Sequence, residues 1–124
     1  MKTNINEVLT KHGGFFAFGQ KQLDEQTQKD IKYSRISGGL IMPTANIKAF
    51  ERDFQDEIKR AVAEDFATHG KKNIIWRELA NHEAQISCEI EDTIDALENH
   101  GITREEIRAE FGEYYQHCIK HDYF

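Results

Sequence analysis

Apolar residues at Ile47, Phe50, Phe54, Ile58, Val62 and Phe66 recur at steps of three and four, which places them on one helical face. Glu51, Arg52, Asp56, Lys59 and Arg60 fall on the other faces. Thr44 stands where an N-cap belongs, and Gly70, just after His69, where a left-handed stop belongs, so the pattern predicts a helix over 44–69. Ahead of it the chain reads differently. Phe15-Phe16-Ala17-Phe18 lies between Gly14 and Gly19 and suits a short buried strand. Residues 31–42 alternate imperfectly, with Gly38-Gly39 as a hairpin turn or bulge and Pro43 closing the strand. A short helix starts at Asn4 or Asn6 and runs to about Lys11 with Ile5, Val8 and Leu9 inward, and 20–29 is polar and helix-permissive.

Past Lys71-Lys72, Ile74, Ile75, Leu79 and Ile86 fit one helix with Trp76 on its flank, although a strand over 74–76 fits the same short run. Ser87 is positioned to cap a helix carrying Ile90, Ile94 and Leu97, which His100-Gly101 ends. Thr103-Arg104-Glu105-Glu106 is a capping box that opens a last helix bearing Ile107, Phe111, Tyr114 or Tyr115, and Cys118 or Ile119. The predicted fold class is α+β: a mostly helical single domain over 1–124, with a small antiparallel sheet from the N-terminal third and a C-terminal helical hairpin.

Composition and charge add a boundary to this picture. The 124 residues include eight Phe, four Tyr and one Trp, enough bulky apolar material for a core. Net charge is −6, unevenly spread: residues 1–77 hold 13 Lys/Arg and 10 Asp/Glu, whereas 78–113 hold 2 Arg and 11 Asp/Glu. An acidic block repels nucleic acid and favours basic partners, so a basic protein partner is expected and direct nucleic-acid binding is not; a solvated helix face explains the same run. No apolar leader or membrane-length stretch stands out, and Cys88 and Cys118 form no CxxC pair, so the expectation is a reduced cytoplasmic protein with no membrane contact. Surplus phenylalanine surface also allows a homodimer.

Three constellations can carry chemistry. Asn81-His82-Glu83 gathers an amide, an imidazole and a carboxylate, but adjacent helical side chains diverge by about 100° and do not meet at one point. His117 and His121 stand at i,i+4, the spacing that offers two nitrogens to one metal, with Cys118, Asp122 and His100 as further ligands in reach along the sequence. Glu89, Glu91, Asp92, Asp95 and Glu98, then Glu105, Glu106, Glu110 and Glu113, supply carboxylates for Mg²⁺, with only Arg104 and Arg108 as local cations. There is no P-loop, GxGxxG, GxSxG or CxxC motif. Lys71-Lys72 and Arg77 form the best local basic patch, best explained as a solubility feature.

Phe15-Phe16-Ala17-Phe18, Gly38-Gly39 with Pro43, Leu79-Ala80-Asn81-His82-Glu83-Ala84, Ile90-Glu91-Asp92-Thr93-Ile94-Asp95-Ala96-Leu97 and Thr103-Arg104-Glu105-Glu106 follow one another in that order. Together they resemble a family of small uncharacterised proteins of bacteriophages and bacterial mobile elements. The resemblance implies a phage or prophage accessory protein, with no known reaction and no catalytic residue to carry over. The reading that follows is a small non-enzymatic protein that binds a host or phage protein, an anti-CRISPR-like inhibitor of a host defence nuclease. Its expected contact residues are Trp76, His82, Glu83, Glu91, Asp92, Asp95, Glu105 and Glu106, with no catalytic residue, cofactor or metal. For Trp76, burial in the core is the competing reading. The alternative function is a small metal-dependent enzyme or metal binder using His117/His121 or His82/Glu83.

Overall fold

The computed structural model describes residues 1–124. The chain divides into two compact units, residues 2–58 and residues 59–124 with Met1, and the boundary falls inside its longest helix. The fold class is α+β and mostly helical, with a small antiparallel sheet near the N-terminus and a long C-terminal helix. No helix is long and apolar enough to cross a membrane.

In the N-terminal unit, α1 (Ile5–Lys11) leads into β1 (Phe15–Phe16), α2 (Gln20–Gln26), β2 (Tyr33–Arg35) and β3 (Leu40–Pro43). The sheet order is β1-β3-β2, antiparallel throughout. Phe15 faces Ile41 and Phe16 faces Leu40 on one side of β3, while Ser34 faces Met42 and Arg35 faces Ile41 on the other. The β2–β3 turn uses Gly38 and Gly39, at φ +55° and +82°; a Cβ on Gly39 would meet the Phe18 ring at 2.6 Å, so glycine is required twice over. Leu9, Leu40, Met42 and Phe50 form the core of this unit, with Ile5, Val8, Ile47 and Phe54 packed against it.

Two expectations change here. The strand predicted over 15–18 stops at Phe16, because the Phe18 N–H is taken by the Gln22 side chain at 2.8 Å as the chain turns toward α2. Ala17 is buried, whereas Phe18 is 77% exposed, so the strand is not buried along its length. Thr44 does not cap the long helix. Its hydroxyl pairs with that of Ser34 at 2.7 Å, residues Thr44–Asn46 form a 3-10 turn, and α3 begins at Ile47.

Helix α3 (Ile47–Asn81) is two arms joined at Gly70, whose φ of 75° and ψ of 160° are not helical. The helix end expected near His69 and Gly70 is therefore present, and a second helical arm follows it at a kink. Residues 74–76 are helical, so the strand alternative does not form. The φ and ψ of Gly70 fall in a region essentially confined to glycine. Nothing lies within 4 Å of a Cβ built there, so Gly70→Ala is expected to cost about 1–3 kcal/mol through the backbone alone. Gly112→Ala, inside the last helix and in equally open space, is expected to stabilise by roughly 0.5–1 kcal/mol. Urea unfolding of the two variants side by side checks the opposite signs.

The C-terminal unit continues through α4 (Ala84–Ser87), α5 (Glu91–Ala96), a 3-10 turn at Glu98–His100 and α6 (Arg104–His121). Ile74, Ile75, Leu79, Ala84, Leu97, Ile102, Ile107, Tyr114 and Cys118 make its core. Ser87 ends α4 instead of capping α5; its hydroxyl accepts from the Glu89 N–H, and Ile90 occupies the position before α5. The capping box is present: Thr103 Oγ1 accepts the Glu106 N–H at 3.2 Å and donates to the Glu106 carboxylate.

Candidate functional site

Helix α5 is positioned by what it buries. Thr93 and Leu97 are fully enclosed, and Ile90 and Ile94 pack against the same core. With those positions turned inward, Asp92 and Asp95 are left exposed on the same short helix. The 3-10 turn adds Glu98, and Gly101, at φ +67°, reverses the chain into Thr103. Glu105 follows in the first turn of α6, where a carboxylate complements the helix dipole. Asp95 and Glu98 line one shallow cleft of about 420 Å³ with Ile94, Gly101 and Ile102. Asp95 and Glu105 both add to the field that raises the Arg104 pKa, behind the Glu91 hydrogen bond.

The carboxylates of Asp92, Asp95, Glu98 and Glu105 make no hydrogen bond or salt bridge within the chain. Three neighbouring acids are committed. Glu91 takes a two-pronged pair from Arg104, with Nη2 to Oε2 at 2.8 Å, and that guanidinium holds its carboxyl below the usual range. Glu106 pairs with Lys71 at 2.6 Å, and the ammonium lowers its carboxyl likewise. Glu113 pairs with Lys72 at 2.8 Å and raises the lysine in turn. The basic patch read from Lys71, Lys72 and Arg77 is therefore three cations engaged within the chain, the last with Asp65.

Of the other residues singled out in the sequence, Trp76 is half-buried. Its indole N–H donates to Glu110 at 2.9 Å, its ring meets Tyr114 edge-on at 5.5 Å, and Lys72 lies 5.3 Å from the ring centre. His82 and Glu83 are exposed at the junction of α3 and α4. His82 approaches Glu78 at 3.6 Å, and Glu83 adopts a left-handed φ of 51° that starts α4. Neither Asn81 nor Glu83 joins that contact. His117 and His121 do come together, with ring centres 4.3 Å apart. Of the further ligands near them in sequence, Cys118, which helical geometry turns about 100° from His117, is fully buried in the core, His100 bonds Asp65, and Asp122 completes no three-ligand group with the pair. No group of three or more His, Cys, Asp or Glu converges on a metal-sized point.

The strongest polar constellation was not legible from spacing. Asp65, 5% exposed, accepts from Arg77 Nη1 at 2.7 Å and Nη2 at 3.0 Å, and from His100 Nε2 at 2.8 Å. Arg77 also reaches Glu78 through Nε at 3.1 Å. The Arg77 guanidinium beside Asp65 drives its carboxyl far below the ordinary carboxylate range. The only sequence cue was the i,i+4 pair Asp65/His69, which closes to 4.0 Å; the true partners lie 12 and 35 residues away. This network ties the two arms of α3 to the turn before α6. The N-terminal unit holds a smaller counterpart, Asp53 with His12 at 2.7 Å and Lys11 at 3.0 Å.

The sequence matches a family of unknown function over residues 1–120. No curated protein and no solved structure matches the chain.

Proposed function

The chain belongs to the family of unknown function DUF7659, and we propose that it is a non-enzymatic binding protein that engages a basic protein through the carboxylates of α5 and the start of α6. One observation carries the reading. Asp92, Asp95, Glu98 and Glu105 are exposed and unpaired on neighbouring elements, although the chain supplies partners for Glu91, Glu106 and Glu113 close by. Unneutralised carboxylates at such density raise the on-rate for a positively charged partner and disfavour polyanions. The core beneath them fixes their spacing before any partner arrives, which lowers the ordering cost of association.

Within that reading, the partner is a host or phage protein of the cytoplasm whose basic surface ordinarily holds nucleic acid. The likeness of the 15–111 motifs to proteins of phages and mobile elements favours an accessory role, in which the carboxylates replace phosphates on a defence nuclease in the manner of an anti-CRISPR inhibitor. His82 and Glu83 at the α3–α4 junction, and the half-buried Trp76, belong to the periphery of the proposed contact; Glu91 and Glu106 act by holding Arg104 and Lys71.

Immobilised protein incubated with host-cell extract is expected to retain a basic protein at low ionic strength and to release it as salt rises toward 1 M, where the screening length falls to about 3 Å. Retention of an acidic protein, or retention that is indifferent to salt, would count against the proposal.

A further inference from the structure

We propose that His117 and His121 form a two-nitrogen site for a late first-row divalent cation of the Cu²⁺ and Zn²⁺ class. The site stands apart from the carboxylates of α5 and does not rest on the binding role. The two residues lie one turn apart near the end of α6, and their ring centres are 4.3 Å apart at an interplanar angle of 49°. Two nitrogens bound to a tetrahedral zinc at about 2.0–2.1 Å stand roughly 3.3 Å from each other, a separation that rings this close reach by rotation.

Neither imidazole hydrogen-bonds within the chain, so both keep a lone pair to offer. Their orientation is set by neighbours. Trp76 packs at 5.1 Å from His117, and Tyr123 stacks on His121 at 5.5 Å and 20° while standing 5.8 Å from His117. Such walls restrict the rotamers of both rings before an ion binds. The ammonium of Lys72, which lies over the Trp76 ring, is neutralised by Glu113 at 2.8 Å.

Donor type selects the ion. Imidazole suits copper, zinc and nickel, whereas Mg²⁺ and Ca²⁺ require oxygen ligands that the pair does not provide. With no third His, Cys, Asp or Glu converging here, water or an outside ligand completes the coordination sphere.

The test uses the full, tag-free chain and the ions alone. Cu²⁺ is expected to quench Trp76, the chain's one tryptophan, with saturation at one equivalent, and the copper resonance spectrum should report two equatorial nitrogens. Mg²⁺ should change neither signal. His121 is exposed, so His121→Gln is expected to keep its circular dichroism while its Cu²⁺ affinity falls at least roughly tenfold. Zinc competition against Cu²⁺ should be lost in the same variant. Unchanged quenching in His121→Gln, or quenching that never saturates, would mean an adventitious ion only and would overturn the site.

Discussion

Asp65→Ala is expected to destabilise the protein by about 3–5 kcal/mol, the cost of leaving one member of a buried ion pair without its partner. Three donors lose their acceptor at once: both terminal nitrogens of Arg77, and His100 Nε2. Because the carboxylate stays ionised beside Arg77, it can only accept, so the His100 proton on that side is fixed at Nε2. His100 Nδ1 is already buried without a partner, and the ring meets Phe66 edge-on at 5.5 Å. The imidazole therefore has no second hydrogen bond to fall back on. Arg77 side chains remain 26% exposed and recover some hydration, which places the expected loss toward the lower end.

The same group gives a pH signature. The folded-state pKa of Asp65 is depressed, so its contribution is fully present above the unfolded value near 3.9 and is lost as pH falls below it toward the folded value. Wild-type stability should fall more steeply with acid in that window than the stability of Asp65→Asn. Chemical denaturation at a series of pH values reads both the size of the loss and the slope. Equal acid sensitivity of the two proteins would remove Asp65 from the account.

What could be read from sequence depended on how local the cause was. The helix signalled by the apolar steps along 47–66, the box opening at Thr103 and the glycine pair at 38–39 are set by neighbours within a turn or a hairpin, and these elements appear as expected, although the most buried positions over 57–65 are Glu57, Ala61 and Asp65 and not Ile58 and Val62. The errors arise where a distant residue claims a local group. Thr44 resembled a cap, but its hydroxyl is used by Ser34 ten residues away. Gly70, by contrast, ends the first helical arm as its local signal indicates, and a second arm carrying Ile74, Ile75 and Leu79 follows.

For the candidate site, sequence identified a dense acidic stretch but could not say which acids were free. Glu91 and Asp92 are adjacent and chemically alike; only the fold assigns Arg104 to the first and leaves the second unpaired. The Asp65 network was hidden for the same reason, since its three members sit on separate helical segments.

That sorting of carboxylates yields the second large effect. Changing Asp92, Asp95, Glu98 and Glu105 together to lysine removes four unpaired negative charges and installs four positive ones, without touching any ion pair or core contact described above. Like charges facing one another across an interface cost several kcal/mol, so the affinity for the basic partner is expected to fall by about 100-fold or more. The fold should persist with a modest loss, because Asp92 and Glu105 stand in the first turns of α5 and α6, where exchanging a carboxylate for lysine costs roughly 0.3–1 kcal/mol each, and the other two sites are exposed. The most direct measurement is a binding titration of the captured partner against wild type and this fourfold variant, at low and moderate salt. The proposed function predicts tight, salt-weakened binding by wild type and loss of both the affinity and its salt dependence in the variant. Equal affinities for the two proteins at low salt would contradict it.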